Sequence, residues 1–447
     1  MKLLLCFLLS AFCFSARAAT TWVVAPSGGQ STTINGIWSQ NIQPGDTVEV
    51  RAATPGGVQT YYEQVEPTKS GTAGNPILLT ARAGDFIVID AQLTRNDCVL
   101  LDDCSYLTLR GFYTTNAINY SIRSYGTSTG ITIQGNHVHA SFGGTVNLNR
   151  NAICCAHQTS LVVESNTVTQ DLAAYETGYD TDGINIADST YTIVRYNNVT
   201  LSALTVNDGA HDDCIQFWDC QHMYIYNNIF FISQMPASRR QGIFGQGETA
   251  GMNSDWQVYN NLVYGYAGTY LINLVGQADP VVIQLYNNTV DAWYKSGGPG
   301  MPLQIDGTGS IIKNNIFMSE QTYTANCAYY EVVPTSPSQI DYNIYYNPNN
   351  NSSSEPIQVG SSAMNWVTWN ASGYDAHGLN VNPNVSAAYL LQSGSSAIGA
   401  GVNLSSIFTT DLTGAARTGA WDMGAYSASG QSQRPAAPII VSTVPGP

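Results

Sequence analysis

Aspartates gather at two points of a chain that is poor in charge, since charged residues fill only 11% of its 447 positions. One group reads Asp180-Thr181-Asp182-Gly183. The other reads His211-Asp212-Asp213, which places Asp213 31 residues after Asp182. Neighbouring carboxylates can move protons as an acid and a base, or offer hard oxygens to a cation. They can equally close strands and cap turns, where aspartate is common. Arginines stand at matching distances: Arg150 before the groups, Arg239 and Arg240 after them. Crowded carboxylates need such a partner, a bound cation or a shared proton.

The 31-residue step belongs to a repeat that runs through the chain. Asn followed by an apolar residue closes successive β-rich runs at Asn136, Asn166, Asn197, Asn227, Asn260, Asn288 and Asn314, and Asn343 extends the series. Each repeat holds two short runs with period-two alternation, a polar turn between them and a longer variable segment. This excludes a helical solenoid and predicts an all-β fold, a parallel β-helix with like residues stacked at about 4.8 Å. The asparagines then form an internal amide ladder.

Aligning the coils on Val99, Ile122, Ile153, Ile184, Ile215 and Ile243 stacks Asp182 on Asp213, with Asp212 beside them and Arg240 on the next coil. Asn185 and Gln216 stack just downstream with outward parity. Asp182 and Asp213 share the parity of the core isoleucines, so they reach the surface only if the chain bends just before the strand. Gln241 follows Asp213 in column, and His211 and Trp218 flank the second group. Trp218, Tyr264 and Trp293 suit sugar stacking if exposed.

Composition bounds the partners. The formal net charge is −15, and −17 without Lys2 and Arg17, which disfavours nucleic acid. A basic start, the run LLLCFLLSAFCF and the small-residue ARA read as an export signal over 1–19. No later apolar run is long enough for a membrane helix. The expected organisation is therefore the signal, a β-helix over 20–427 and a disordered tail over 428–447. The β-helix includes a cap region over about 20–95 and an irregular closing region over about 349–427. Seven cysteines lie beyond the signal, and free buried thiols are expected for most. Cys98 with Cys214, and Cys104 with Cys220, are repeat columns too far apart to bond. A secreted or periplasmic monomer is expected.

These repeats resemble the right-handed parallel β-helix of the pectate lyase and polygalacturonase superfamily. The opening QPGDTVEVRA and the ending DLTGAARTGAWDMGAY resemble segments of secreted β-helix proteins. The resemblance to lysine-type pectate lyases implies calcium held by Asp180, Asp182, Asp212 and Asp213. There Gln216 stands where a further aspartate would be, and Phe244 stands in place of the basic lysine. Arg240 or Arg239 would then serve as base. The resemblance to polygalacturonases implies instead that Asp212 is the acid while Asp182 and Asp213 activate water, with Gln241 in place of a histidine. The expected function is cleavage of an acidic, uronate-containing polysaccharide by calcium-dependent β-elimination. The alternatives are inverting hydrolysis and a non-catalytic glycan-binding or adhesin β-helix. Arg240, Asp212, Asp213, Asp182 and His211 are the catalytic candidates. Arg150, Arg239, Asn185, Gln216, Gln241 and Trp218 are the substrate contacts.

Overall fold

The computed structural model describes residues 17–141, 151–171, 181–202, 211–233, 239–276, 281–293, 300–307, 309–320, 330–332, 339–349, 357–359 and 362–429. Residues 1–16 of the expected signal and 430–447 of the expected tail lie outside them.

The chain winds as a right-handed parallel β-helix. Each full coil contributes a strand to each of three sheets in turn, as Ile184–Ala187, Thr190–Arg195 and Asn198–Ser202 do. We call these the site sheet, the first sheet and the second sheet. All neighbours within the three sheets pair in parallel, except that Ser362–Met364 closes the site sheet antiparallel against Ile357–Val359. The region 20–95 is already part of the winding, because Thr21–Val24, Thr47–Val50 and Ile77–Ala81 pair successively in the first sheet. Among the described residues, helix is confined to Gly36–Ser39 and Trp366–Ala371.

The interior is a column of Val, Ile, Leu and Phe from all three sheets, as period-two alternation requires. The six described cysteines beyond the signal are free and buried, so they act as small apolar side chains.

The asparagine ladder exists, in a register that differs at three coils. Its members are Asn136, Asn166, Asn197, Asn228, Asn261, Asn288, Asn315 and Asn343. Each backbone N–H and side-chain amide donates to the Oδ1 of the next coil. The other amide hydrogen reaches a carbonyl of the coil before, as from Asn261 to Ile225. The ladder ends on Asp375, whose carboxylate accepts from the backbone and side chain of Asn343 at 3.0 and 3.1 Å. Burial pushes the Asp375 carboxyl up to about 6.

Asn227, Asn260 and Asn314, expected in the ladder, sit one residue earlier at positive φ, as does Asn287. Asparagine tolerates that left-handed conformation better than most residues. Their amides face outward and hold the closing segment. Asn227 donates to Asp411 O, Asn260 to Thr410 O, Asn287 to Asp422 O and Asn314 to Val402 O, at 2.7–3.1 Å. Arg417 locks this strap through Asn260 Oδ1 and the carbonyls of Gly424 and Ala425. Phe408 stacks on Tyr259.

Candidate active site on the site sheet

The strands that carry the acidic residues pair in the expected register. Ile184 lies opposite Ile215, Ile215 opposite Ile243, Asp212 opposite Arg240, and Asp213 opposite Gln241. The parity question is settled by a bend. A Cβ on Gly183 would fall 2.5 Å from Val199 Cγ1 and one on Gly242 2.2 Å from Val263 Cγ1, so this position points inward. Cys214, in the same column, turns its thiol to the carbonyls of Val199 and Phe231. The isoleucine that follows each also points inward. Two successive inward residues reset the alternation, and the aspartate before them is left on the outer face. Glycine is required at Gly183 and Gly242 because no side chain fits there.

On that face Asp182 joins an ordered polar stack. Its N–H donates to Asn151 Oδ1 at 2.8 Å, and its Oδ1 accepts from the Asp213 N–H at 3.0 Å. Its Oδ2 accepts from Asn185 Nδ2 at 2.7 Å. Arg240 Nε donates to Asp212 Oδ2 at 3.0 Å. Asp182, Asp212, Asp213, Arg240, Asn185 and Gln241 are all buried, while Gln216 and Trp218 are half-buried. Asn185 Nδ2 lies 3.5 Å from Gln216 Oε1. Phe244 is in register with Gln216 and buried, so the position expected to resemble a basic lysine holds an apolar ring.

The structure thus brings together Asp182, Asp212, Asp213, Arg240, Asn185, Gln216 and Gln241. Arg150 and Asp180 lie outside the described residues. His211 and Arg239 pair in register at the start of their strands, and their side chains are likewise outside the description. Tyr264 and Trp293 are not on this sheet. They pack with Phe231 and Tyr266 on the second sheet, and Tyr389 lies against Tyr264.

A calcium ion would need several free carboxylate oxygens here. Both oxygens of Asp182 already accept hydrogen bonds, and Asp212 Oδ2 is tied to Arg240. Among the described residues no three His, Cys, Asp or Glu side chains converge as a metal site. The described carboxylates do not by themselves fit the ion. In the buried pair with Asp212 the Arg240 guanidinium is the donor and the carboxylate the acceptor.

A second charged group on the same face was not anticipated. Arg123 stands in the column of Cys154, Asn185 and Gln216. Its guanidinium lies 2.9 Å from Asp102 and 3.5 Å from Asp97, and over the rings of Tyr120 and Tyr125. Burial pushes Asp97 up to about 6, opposed by Arg123. Reading one residue past each aligned isoleucine would have found Arg123.

Neither a protein-family model nor a curated protein sequence matches the chain. Solved structures do. The chain is similar to pectate lyase Pel9A with a TM-score of 0.54 at 15% identity, over 92% of this chain and 97% of that one. It is also similar to the XylC complex with xylose (TM-score 0.47, 10% identity, covering 91% and 98%) and to a rhamnogalacturonan lyase (0.46, 15%, covering 78% and 90%). At such identities the likeness to Pel9A speaks to fold, and over nearly its whole length this chain shares the parallel β-helix architecture of that pectate lyase.

Proposed function

We propose that this chain cleaves a uronate-containing polysaccharide on the outer face of the site sheet. One observation carries the reading: Asp182, Asp212, Asp213 and Arg240 meet in register on three adjacent coils of a chain with few charges. Like charges so close are costly, and a purely structural stack could use asparagine throughout, as the internal ladder does.

The fold shared with a pectate lyase supports β-elimination as the chemistry. Elimination needs positive charge against the uronate carboxylate, so that the neighbouring C–H can lose its proton to a base. Arg240 is the described group that carries such charge in the cluster, and Asp212 holds it in place. Calcium enters this reading only through ligands beyond the described carboxylates, Asp180 first among them. Inverting hydrolysis is the second reading, favoured by the three carboxylates and the absence of a basic lysine at Phe244.

The test is incubation with polygalacturonate and other uronic glycans, with and without EDTA. Absorbance of the unsaturated product and reducing ends are followed together. Elimination raises both signals; hydrolysis raises reducing ends alone. Asp213→Asn is expected to lower either rate at least about a hundredfold, the scale of a lost acid or base. A fully active Asp213→Asn protein overturns this assignment of the site, and no cleavage of any uronic glycan overturns the reading and leaves glycan binding.

A further inference from the structure

One buried carboxylate lies where the expected export signal meets the fold. Asp46 is fully buried and immediately precedes the strand Thr47–Val50. Its Oδ1 accepts from the Thr20 N–H and from Arg17 Nη1, each at 2.8 Å. Its Oδ2 accepts from Trp22 Nε1 and the Gln43 N–H at 3.0 Å, and from Arg17 Nη2 at 3.2 Å. Burial alone would raise this carboxyl, yet the hydrogen bonds from Arg17, Trp22, Thr20 and Gln43 hold it well below the usual carboxylate range. Among these donors only Arg17 carries a charge; Trp22, Thr20 and Gln43 offer neutral N–H groups.

Arg17 lies within Ala16–Ala19, the small-residue stretch that reads as a cleavage site. A cut after that stretch removes Arg17, and a buried carboxylate stripped of its cation is strongly destabilising. The same cut supplies a replacement. Water adds across the peptide bond, the new carboxylate leaves with the signal, and the new amine takes up a proton at neutral pH. Thr20 is already fixed in place from both sides. Its N–H is on Asp46, and its carbonyl accepts from the Thr47 N–H at 2.9 Å. The first strand starts one residue later, at Thr21, so this cut takes nothing from the sheet.

We propose that Asp46 receives a processed N-terminus: hydrolysis at Ala18–Ala19 or Ala19–Thr20 creates an α-ammonium that replaces the Arg17 guanidinium on this carboxylate. From Thr20 the ammonium stands directly on Oδ1; from Ala19 it starts one peptide unit away. The buried charge is then balanced both before and after the signal is removed. The two cations differ in one respect. Arginine stays charged at every working pH, whereas an α-ammonium gives up its proton. The pair lies apart from the acidic cluster and is independent of the glycan-cleavage reading.

The test begins with the full chain expressed with its signal in an exporting host. Intact mass is expected to give Ala19 or Thr20 as the first residue. The pKa of the new α-amine is read from the pH dependence of trace acetylation, located by mass spectrometry. It is expected at least about one unit above the ordinary 7.7–8.0 in the wild type, and within the ordinary range in Asp46→Asn. A second comparison needs no variant at Asp46. Thermal midpoints of the processed chain and of a chain begun at Ala16 are followed from pH 7 to pH 10. An amine whose pKa is raised by folding contributes in full below its unfolded pKa, and the contribution is lost as pH rises through the folded one. The processed chain is therefore expected to lose more stability over that range than the chain that keeps Arg17. An exported chain that retains Arg17, or that begins beyond Thr20, overturns the proposal. So does an α-amine of ordinary pKa, or the same pH profile in both chains.

Discussion

Asp212 and Arg240 form a buried pair on neighbouring coils, and removing one partner leaves the other charge in a low-dielectric site. Arg240→Ala is therefore expected to cost about 3–5 kcal/mol of stability as well as activity. Replacing both, Asp212→Leu with Arg240→Met, is expected to recover most of that stability and none of the activity; urea unfolding with the glycan assay separates the two effects. Asp375 offers a cleaner titration. Its carboxyl is raised by burial to about 6 from an ordinary 3.8, so the folded state keeps a proton that the unfolded state gives up. Its contribution is full below pH 3.8 and is lost as pH rises through 6, at about 1.4 kcal/mol per unit, or roughly 3 kcal/mol in all. Asp375→Asn is expected to flatten that difference between pH 4 and pH 7, measured by chemical denaturation against the wild type. The alignment of Asp182 on Asp213 was legible because every coil carries an isoleucine in the same place. Their position on the outer face was not, because parity resets at Gly183 and Gly242, and no alternation pattern announces two inward residues in a row.

Among the coils, the two asparagine columns do different work although the residues are adjacent. The inner column crosses the core with both amide hydrogens used, whereas the outer one holds the strap. Asn261→Ala strips a fully buried amide of its bonds to Asn228, Asn288 and Ile225, and is expected to destabilise the β-helix by about 3 kcal/mol. Asn260→Ala acts on the strap, through Thr410 and Arg417. Its expected effect is faster proteolysis between 397 and 428 with the coils intact, read by mass spectrometry of limited digests. A digest pattern identical to wild type would contradict the strap's dependence on Asn260. The period of the repeats was legible, but which member of an Asn-Asn pair enters the core was not. Asparagine is favoured both in stacked amide ladders and at left-handed turn positions, and local sequence does not distinguish the two.

Across the molecule, a solenoid in which each coil touches only its neighbours tends to unfold piecemeal. Here the strap bonds to four coils, with sequence separations of up to 184 residues. Removing its two middle anchors together, Asn260→Ala with Asn287→Ala, is expected to lower the denaturant slope m and broaden the transition followed by tryptophan fluorescence, since fewer coils then unfold as one unit. An unchanged m would mean that the coils are coupled through their core alone. The fold was readable from the sequence because it is written many times over. The closing segment was recognisable only by its likeness to other endings, because its partners lie far away in the chain.

The last rung of the ladder has a further consequence. An amide accepts from one coil and donates to the next, so a stack of asparagines could in principle continue without limit. An ionised carboxylate accepts and has nothing to pass on. Asp375 thus gives the column a direction and a terminus. The antiparallel strand Ser362–Met364 likewise covers the last parallel strand of the site sheet. A molecule built from near-identical layers would otherwise present its final layer as a template for the first layer of another copy, the route by which stacked strands grow into fibres. One oxygen-for-nitrogen exchange at the end of the column works against that growth.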